Sequence, residues 1–229
     1  MVDAYRKLGA RMPDGLTALG RWHAPGFRQG WLLRVKRPCG PAFFCGLLIV
    51  NTLLIVGCAS VPEPPQRPDN ACAILAEKPK WDRAMRTVER RWGVPVEVQL
   101  AIIRNESSFR HDARPRSPSG GYASSAYGYP QAIDGTWEWY RDETGKHRAK
   151  RTDFADAADF IGWYTNRSRR VLGISQRDAY NQYLAYHEGH TGFQRGSYRR
   201  KLWLQRYARQ VDQHARTYAK QLSRCQTRS

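Results

Sequence analysis

The sequence predicts a mainly α domain from about residue 80 onward. Three observations carry that expectation: apolar residues recur at helical spacing, capping residues and Pro or Gly stops fall between the periodic segments, and neither an internal repeat nor a nucleotide-binding glycine pattern interrupts them. Trp81, Met85, Val88 and Trp92 lie along one helix that Gly93 ends. Pro95 suits the first position of the next helix, where its missing N–H would have had no partner anyway. Val96, Val98, Leu100, Ala101, Ile102 and Ile103 make that helix apolar around most of its girth, the pattern of a buried helix. A Pro/Ser/Gly-rich loop follows over 112–125. Thr136 can cap a short helix through Trp137, Trp139 and Tyr140, stopped by Gly145. Asp153, with Asp156 three residues on, starts a helix that runs to Leu172 and stops at Gly173. Ser175-Gln176-Arg177-Asp178 resembles a capping box and opens a helix carrying Ala179, Tyr183 and Tyr186. Ser197 opens a long last helix with Tyr198, Leu202, Tyr207, Val211, Ala215, Tyr218 and Leu222 along one side.

The segment Ile102-Ile103-Arg104-Asn105-Glu106-Ser107-Ser108-Phe109 puts one carboxylate at the end of the most apolar helix. Two effects of the same sign act on it. Partial burial disfavours the charged form, and so does the negative end of the helix dipole. A carboxyl so placed holds its proton near neutral pH, as a general acid must. From this segment alone, a glutamate fraying off a helix end is an equal alternative.

Two later segments change the balance: Ala126-Tyr127-Gly128-Tyr129-Pro130-Gln131 and Ala185-Tyr186-His187-Glu188-Gly189. With Glu106-Ser107 they resemble, in order and spacing, the three motifs of the soluble-lytic-transglycosylase (SLT) domain family, which has a goose-type-lysozyme-like helical fold. The resemblance covers about residues 80–220. It implies a lysozyme-like helical domain and allows a small β-hairpin beside the groove, over 122–129. It also implies cleavage of peptidoglycan glycan strands between N-acetylmuramic acid (MurNAc) and N-acetylglucosamine (GlcNAc). In that scheme Glu106 acts first as acid and then as base, and the muramyl C6 hydroxyl closes a 1,6-anhydro ring. Ser107 would orient the sugars, with a helix-end hydroxyl bonded to the preceding turn as the alternative. Gly128 and Gln131 match the sugar-binding segment, and Tyr186 would sit near the catalytic carboxyl or the N-acetyl group. Tyr129-Pro130 and His187 depart from the family pattern within the groove, so His187 becomes a substrate-facing candidate that bears on specificity. Of the tryptophans, Trp81 and Trp92 read as core, and Trp137 and Trp139 as groove candidates.

Hydrolytic glycosidases usually place two carboxylates across the scissile bond. Asp112, Asp134, Asp142 and Glu143 fall in polar loops or exposed helix faces, so no second sheltered acid is evident. Glu188 is the exception to weigh, and it keeps open a lysozyme-like hydrolase using water. The altered second and third motifs keep open a non-catalytic peptidoglycan-binding or envelope-scaffold protein. His187-Glu188-Gly189-His190 lacks the spacing of a zinc-binding helix motif, so neither a metal nor another cofactor is expected.

The N-terminal part predicts the compartment. Arg34, Lys36 and Arg37 precede an apolar run over 41–57 that is short for a membrane span and interrupted by Asn51. The run closes on Ile55-Val56-Gly57-Cys58, which resembles a bacterial lipobox. The expected organisation is an export signal over 1–57, a lipidated Cys58 with a Pro-rich tether over 58–79, and the catalytic domain over 80–225. A plain transmembrane anchor is the alternative. The tether Val61-Pro62-Glu63-Pro64-Pro65-Gln66-Arg67-Pro68 favours the lipoprotein, because such a segment holds a domain off a membrane surface. Ala59 after the cysteine resembles the outer-membrane class, which implies a lipid anchor in the outer membrane with the domain facing the periplasm.

Residues 1–57 hold eight Lys/Arg and two Asp/Glu, a net +6, which leaves +12 of the chain's +18 for the mature part. Strong basicity usually points to nucleic acid. An exported lipoprotein meets little of it, so the partner expected is the anionic cell-wall polymer, whose encounter rate such a field raises; a solvated charged surface is the alternative. No protein partner can be named. Cys72 and Cys225 remain near the two ends of the domain, and a periplasmic location permits them to form a disulfide.

Overall fold

The computed structural model describes residues 62–226, and these carry seven α-helices. They are α1 (Ala71–Glu77), α2 (Pro79–Trp92), α3 (Val96–Ser107), α4 (Asp134–Thr144), α5 (Phe154–Leu172), α6 (Ala179–Gln194) and α7 (Leu202–Gln226), with a 3₁₀ turn at Ser197–Arg200 before α7. The export signal, the lipobox and Cys58 lie outside the described residues. Among those described, no helix is long and apolar enough to cross a membrane.

α3 is the axis of the fold. Val96, Val98, Leu100, Ala101, Ile102 and Ile103 are all buried, as an all-round apolar pattern requires. α7 packs along α3 most extensively, and α2, α5 and α6 close the remaining sides. Pro95 is the residue before the helix, with extended backbone; its carbonyl accepts from the amides of Val98 and Gln99. Gln99, buried among these side chains, donates from Nε2 to the carbonyls of Met85 (3.0 Å) and Val94 (2.8 Å), which fixes α3 against the end of α2.

α2 and α5 approach closely because Gly162 has no side chain: a Cβ there would lie 2.4 Å from Val88 Cγ1. Beside it, the buried carboxylate of Asp159 accepts from Trp92 Nε1 (3.0 Å) and from the Tyr140 hydroxyl (2.8 Å), and it pairs with Lys146 at 2.8 Å. Burial alone would raise its pKa. The bonds from Lys146, Trp92 and Tyr140 outweigh burial and hold it below the ordinary value, so a charged hub ties α2, α4 and α5 together.

Helix stops at Gly93, Gly145 and Gly173 fall where the sequence places them. Asp153 caps α5 by accepting from the Asp156 amide at 3.0 Å. The starts differ in three places. Ile133, not Thr136, precedes α4, and Thr136 is buried inside it. Asp178 rather than Ser175 caps α6, accepting from the Asn181 amide at 3.0 Å, while Ser175 makes a local turn with Arg177. Ser197 opens the 3₁₀ turn, and α7 starts at Leu202. In the first two cases a side chain nearer to the first free amides takes the cap or none is used.

α1 lies inside the stretch read from sequence as tether. Asn70 caps it by accepting from the Ala73 amide at 3.0 Å, Ala71 and Ile74 are fully buried, and Cys72 is joined to Cys225 in the last turn of α7 by a disulfide. The chain just before is also held. Arg104 donates to the Pro68 carbonyl (3.3 Å) and the Tyr218 hydroxyl (3.0 Å) and pairs with Asp69, while Gln221 Nε2 donates to the Asp69 carbonyl at 2.9 Å. Folded structure therefore begins well before residue 80. Seven short residues of helix gave too little periodicity to be read from sequence.

Between α3 and α4, the 122–129 hairpin does not form. Two isolated antiparallel bridges, Arg116 with Tyr122 and Tyr127 with Ala132, are what the loop contains. Its Ser, Gly and Pro content lacks the alternating β-branched and aromatic residues that extend a ladder.

Candidate active site

The end of α3 sets the site. Ser108 caps the helix in left-handed backbone (φ 51°), its amide donating to the Arg104 carbonyl at 2.9 Å, and Phe109 follows at φ 61°. Neither is glycine, so both are strained by sterics. Complete burial of Phe109, stacked 6.0 Å from Trp81, holds the turn in place. The chain thus leaves the helix abruptly after Glu106-Ser107, and the last helical turn opens onto a cleft of about 690 Å³. Glu106, Ser107 and Ser108 form one side of that cleft. The loop residues Arg110, Asp112, Ala113, Arg114, Pro115 and Arg116 form the next, and Tyr122, Tyr127 and Gln131 complete it.

Glu106 is half-buried, and burial pushes its pKa up to about 7. A hydrogen bond from the Tyr183 hydroxyl works in the opposite direction but is the smaller effect. Tyr183 is held in turn by Asn105, whose Nδ2 donates to the phenol oxygen at 2.6 Å. Near neutral pH the carboxyl can therefore give up a proton and take one back.

The second motif is built as a rigid ledge. Gly128 adopts φ 70°, and a Cβ there would lie 2.2 Å from the Arg151 carbonyl oxygen. Its glycine is needed for that backbone approach, and the residue does not line the cleft. Gln131 does line it, at φ 47°, with Nε2 donating to the carbonyls of Ala113 and Gly128 (2.8 Å each). Tyr186 is fully buried beneath the ledge. Its hydroxyl donates to the Pro130 carbonyl at 2.5 Å, and burial followed by the nearby Glu106 charge raises its pKa well above the ordinary phenol value. Arg151 staples the far edge, donating to the carbonyls of Ser125 (2.9 Å) and Ala132 (2.7 Å) and pairing with Asp134 at 2.7 Å.

The structure thus brings Glu106, Ser107 and Gln131 into one cleft and puts Tyr186 underneath, supporting the ledge. The Ser107 hydroxyl donates to the Ile103 carbonyl at 3.1 Å, the local alternative recognised from sequence. His187 is not among the residues that line the cleft. Its ring meets Trp203 edge-on at 5.1 Å, its Nδ1 lies 3.2 Å from Glu188, and burial lowers its pKa to about 4. Gly189 (φ 74°, ψ 159°) breaks α6 two residues further on. Glu188 is engaged by Lys201 (2.8 Å), Ser197 and His187. Burial raises its pKa, but these bonds prevail and leave it below the ordinary value. His190 faces Ser168 (3.0 Å) and stacks on Tyr164, so the two histidines diverge. Trp137 is core, against Tyr140 and Phe160, and Trp139 packs on Trp163 under Arg167. The aromatic residues of the cleft are Tyr122 and Tyr127 instead.

Sequence reasoning missed Tyr183 and Arg151 as site residues. Tyr183 lies three residues before Tyr186, one turn along the same helix face, which was the available signal. Arg151 carried none, since its role depends on carbonyls far away in the chain.

A buried helix that ends in a protonatable glutamate at an open cleft is suited to general acid and base chemistry. Residues 46–225 match the transglycosylase SLT domain family, and the chain belongs to it. Among curated proteins none matches the chain. Family membership makes the helical domain lysozyme-like and the protein a transglycosylase in general terms, with the glycan strands of peptidoglycan as its substrate.

Proposed function

We propose that this chain is a lytic transglycosylase that cleaves the β-1,4 bond between MurNAc and GlcNAc and leaves 1,6-anhydro-MurNAc ends. The observation that carries the proposal is Glu106, a sheltered carboxyl with a pKa near 7 on the wall of an open cleft. Glu106 protonates the bridging oxygen as the C1–O bond breaks, and the muramyl N-acetyl carbonyl stabilises C1. The carboxylate then takes the proton of the C6 hydroxyl, whose oxygen bonds to C1. One group serves both steps because its pKa matches the working pH. The C6 hydroxyl is on the reacting sugar already, and intramolecular placement is worth roughly 7–11 kcal/mol of barrier in favourable cases.

Two other carboxylates, Glu188 and Asp112, bear on this assignment. Glu188 is held by Lys201, Ser197 and His187 and does not line the cleft. Asp112 does line it, and that favours a second reading in which Asp112 activates water for hydrolysis. Against this, Asp112 is exposed and paired with Arg110 at 3.2 Å, which holds its carboxyl below the usual range despite slight burial and makes it a weak base. Mass spectrometry of muropeptides released from purified sacculi separates the two. Anhydro ends support the lyase; dominant reducible ends, lost in Asp112→Asn, replace it with a hydrolase. No turnover at all leaves a peptidoglycan-binding role.

We further propose that Cys58 carries lipid and anchors the domain to the periplasmic face of the outer membrane. The Cys72–Cys225 disulfide supports an oxidising compartment. Pro65 is already buried against the domain, seven positions after Cys58, a reach of at most roughly 25 Å. The cleft then works close to the membrane rather than deep in the wall.

A further inference from the structure

The cleft carries more positive charge than acid and base chemistry needs. Of its three arginines, Arg110 is neutralised by Asp112 at 3.2 Å. Arg114 and Arg116 have no carboxylate partner among the described residues. Both are exposed, and both line the same cleft as Glu106.

Their placement is built rather than incidental. Arg116 forms an antiparallel bridge with Tyr122, and the Ala123 amide donates to the Pro115 carbonyl at 3.0 Å, so the backbone here is extended. Residues two apart on extended backbone project to the same side, which groups Arg114 with Arg116. The Arg114 guanidinium lies 4.0 Å from the centre of the Tyr127 ring and 4.9 Å from that of Tyr122. Two aromatic faces fix the plane of the guanidinium while leaving its edge of N–H donors for in-plane bonding. A guanidinium held in this way is suited to a carboxylate, which it meets with two parallel hydrogen bonds.

A strand of alternating MurNAc and GlcNAc offers such a group on every second sugar only. GlcNAc is neutral, and the muramyl sugar differs from it by the lactyl ether arm. We propose that Arg114 and Arg116 receive a carboxylate borne on that arm and thereby set the register of the strand, so that Glu106 meets the correct one of its two alternating bonds. This rests on the glycan-strand substrate proposed above. The carboxylate is either the free lactyl group of a bare strand or a carboxylate of a peptide attached there.

The test measures binding in a Glu106→Gln background, where turnover does not intervene. Four probes are titrated: peptide-bearing strands, strands stripped of peptide by an amidase, the stripped strands with their carboxyls converted to methylamides, and chitin oligosaccharides. Arg114→Gln/Arg116→Gln is expected to lose about 10- to 100-fold in affinity for carboxylate-bearing strands, the range that one or two charge-assisted bonds provide. It should bind the methylamide strands and chitin as its parent does. Loss confined to peptide-bearing strands assigns the carboxylate to the peptide; loss on stripped strands assigns it to the lactyl group. The paired lysine variant should recover part of the affinity, and added salt should weaken binding of the parent more than of the glutamine variant. Unchanged affinity for both carboxylate-bearing strands, or an equal loss on all four probes, overturns the proposal. Product analysis of the active protein tests the lyase chemistry separately, so either conclusion can fail without the other.

Discussion

The Tyr183 hydroxyl donates to the Glu106 carboxylate and is itself held by Asn105 Nδ2 at 2.6 Å, so α6 and α3 meet through a hydrogen-bonded relay at the cleft. This bond favours the charged form of Glu106 and opposes the upward pull of burial. Tyr183→Phe should therefore move the alkaline limb of the pH–rate profile upward from about 7. A downward move or an unmoved limb, measured on soluble glycan strands, would show that Tyr183 does not act on Glu106.

Glu106→Gln should lower turnover by at least ~10²-fold, since it removes the proton donor while keeping volume. The same change should stabilise the fold at alkaline pH. The folded-state pKa, about 7, lies above the value of 4.5 for an unperturbed carboxyl, so the native state holds the proton more tightly than the unfolded chain. The wild type then loses stability as pH rises from 4.5 through 7, by a few kcal/mol at about 1.4 kcal/mol per unit. Urea titrations at pH 5 and pH 8.5 should show the glutamine variant gaining on the wild type only at the higher pH. An equal difference at both would place the pKa elsewhere.

The Cys72–Cys225 bond closes a loop spanning 153 residues, which in the chain-entropy model is worth about 5 kcal/mol. Cys72→Ser/Cys225→Ser should lower the melting temperature, with the end of α7 and α1 exchanging amide hydrogens first. Unchanged protection of α1 would mean that the Arg104, Tyr218 and Gln221 contacts suffice to hold it.

Gly128→Ala should cost about 2 kcal/mol or more, because the new Cβ meets the Arg151 carbonyl and the backbone is left-handed. Activity should fall with it, although Gly128 does not line the cleft, because Gln131 and Pro130 move with the ledge. Gly120→Ala has open space around the added carbon and serves as the comparison, since strain there comes from φ alone. Similar losses in the two variants would remove the close approach to Arg151 as the reason for Gly128.

Metabolic labelling with a fatty acid should mark the wild-type protein and not Cys58→Ser, and the mature chain should begin at Cys58. Label retained in the variant would exclude lipidation at that residue.

Helix positions and the raised pKa of Glu106 were legible in the sequence because both depend on local order. The apolar girth of 96–103, the glycine stops at 93, 145 and 173 and the Asp153 cap are each decided within a few residues. Glu106 was legible for the same reason, since its exposure to burial and to the helix dipole follows from its place at the end of α3. The side chains around it were less so. His187 and Trp139 occupy plausible positions in sequence, yet His187 packs on Trp203 and Trp139 on Trp163, and neither lines the cleft.

By itself, then, the sequence determined the helical class, the family motifs and one carboxyl at the end of a buried helix, all consequences of periodicity and near-neighbour chemistry. Only the tertiary structure decided that Tyr183 bonds to Glu106, that Glu188 is consumed by Lys201, that Arg151 closes the ledge and that Arg114 and Arg116 face the cleft without a carboxylate partner among the described residues. Each of these joins groups many residues apart. A charge or hydroxyl acquires its role from what it meets after the chain has folded, and no local pattern records that meeting.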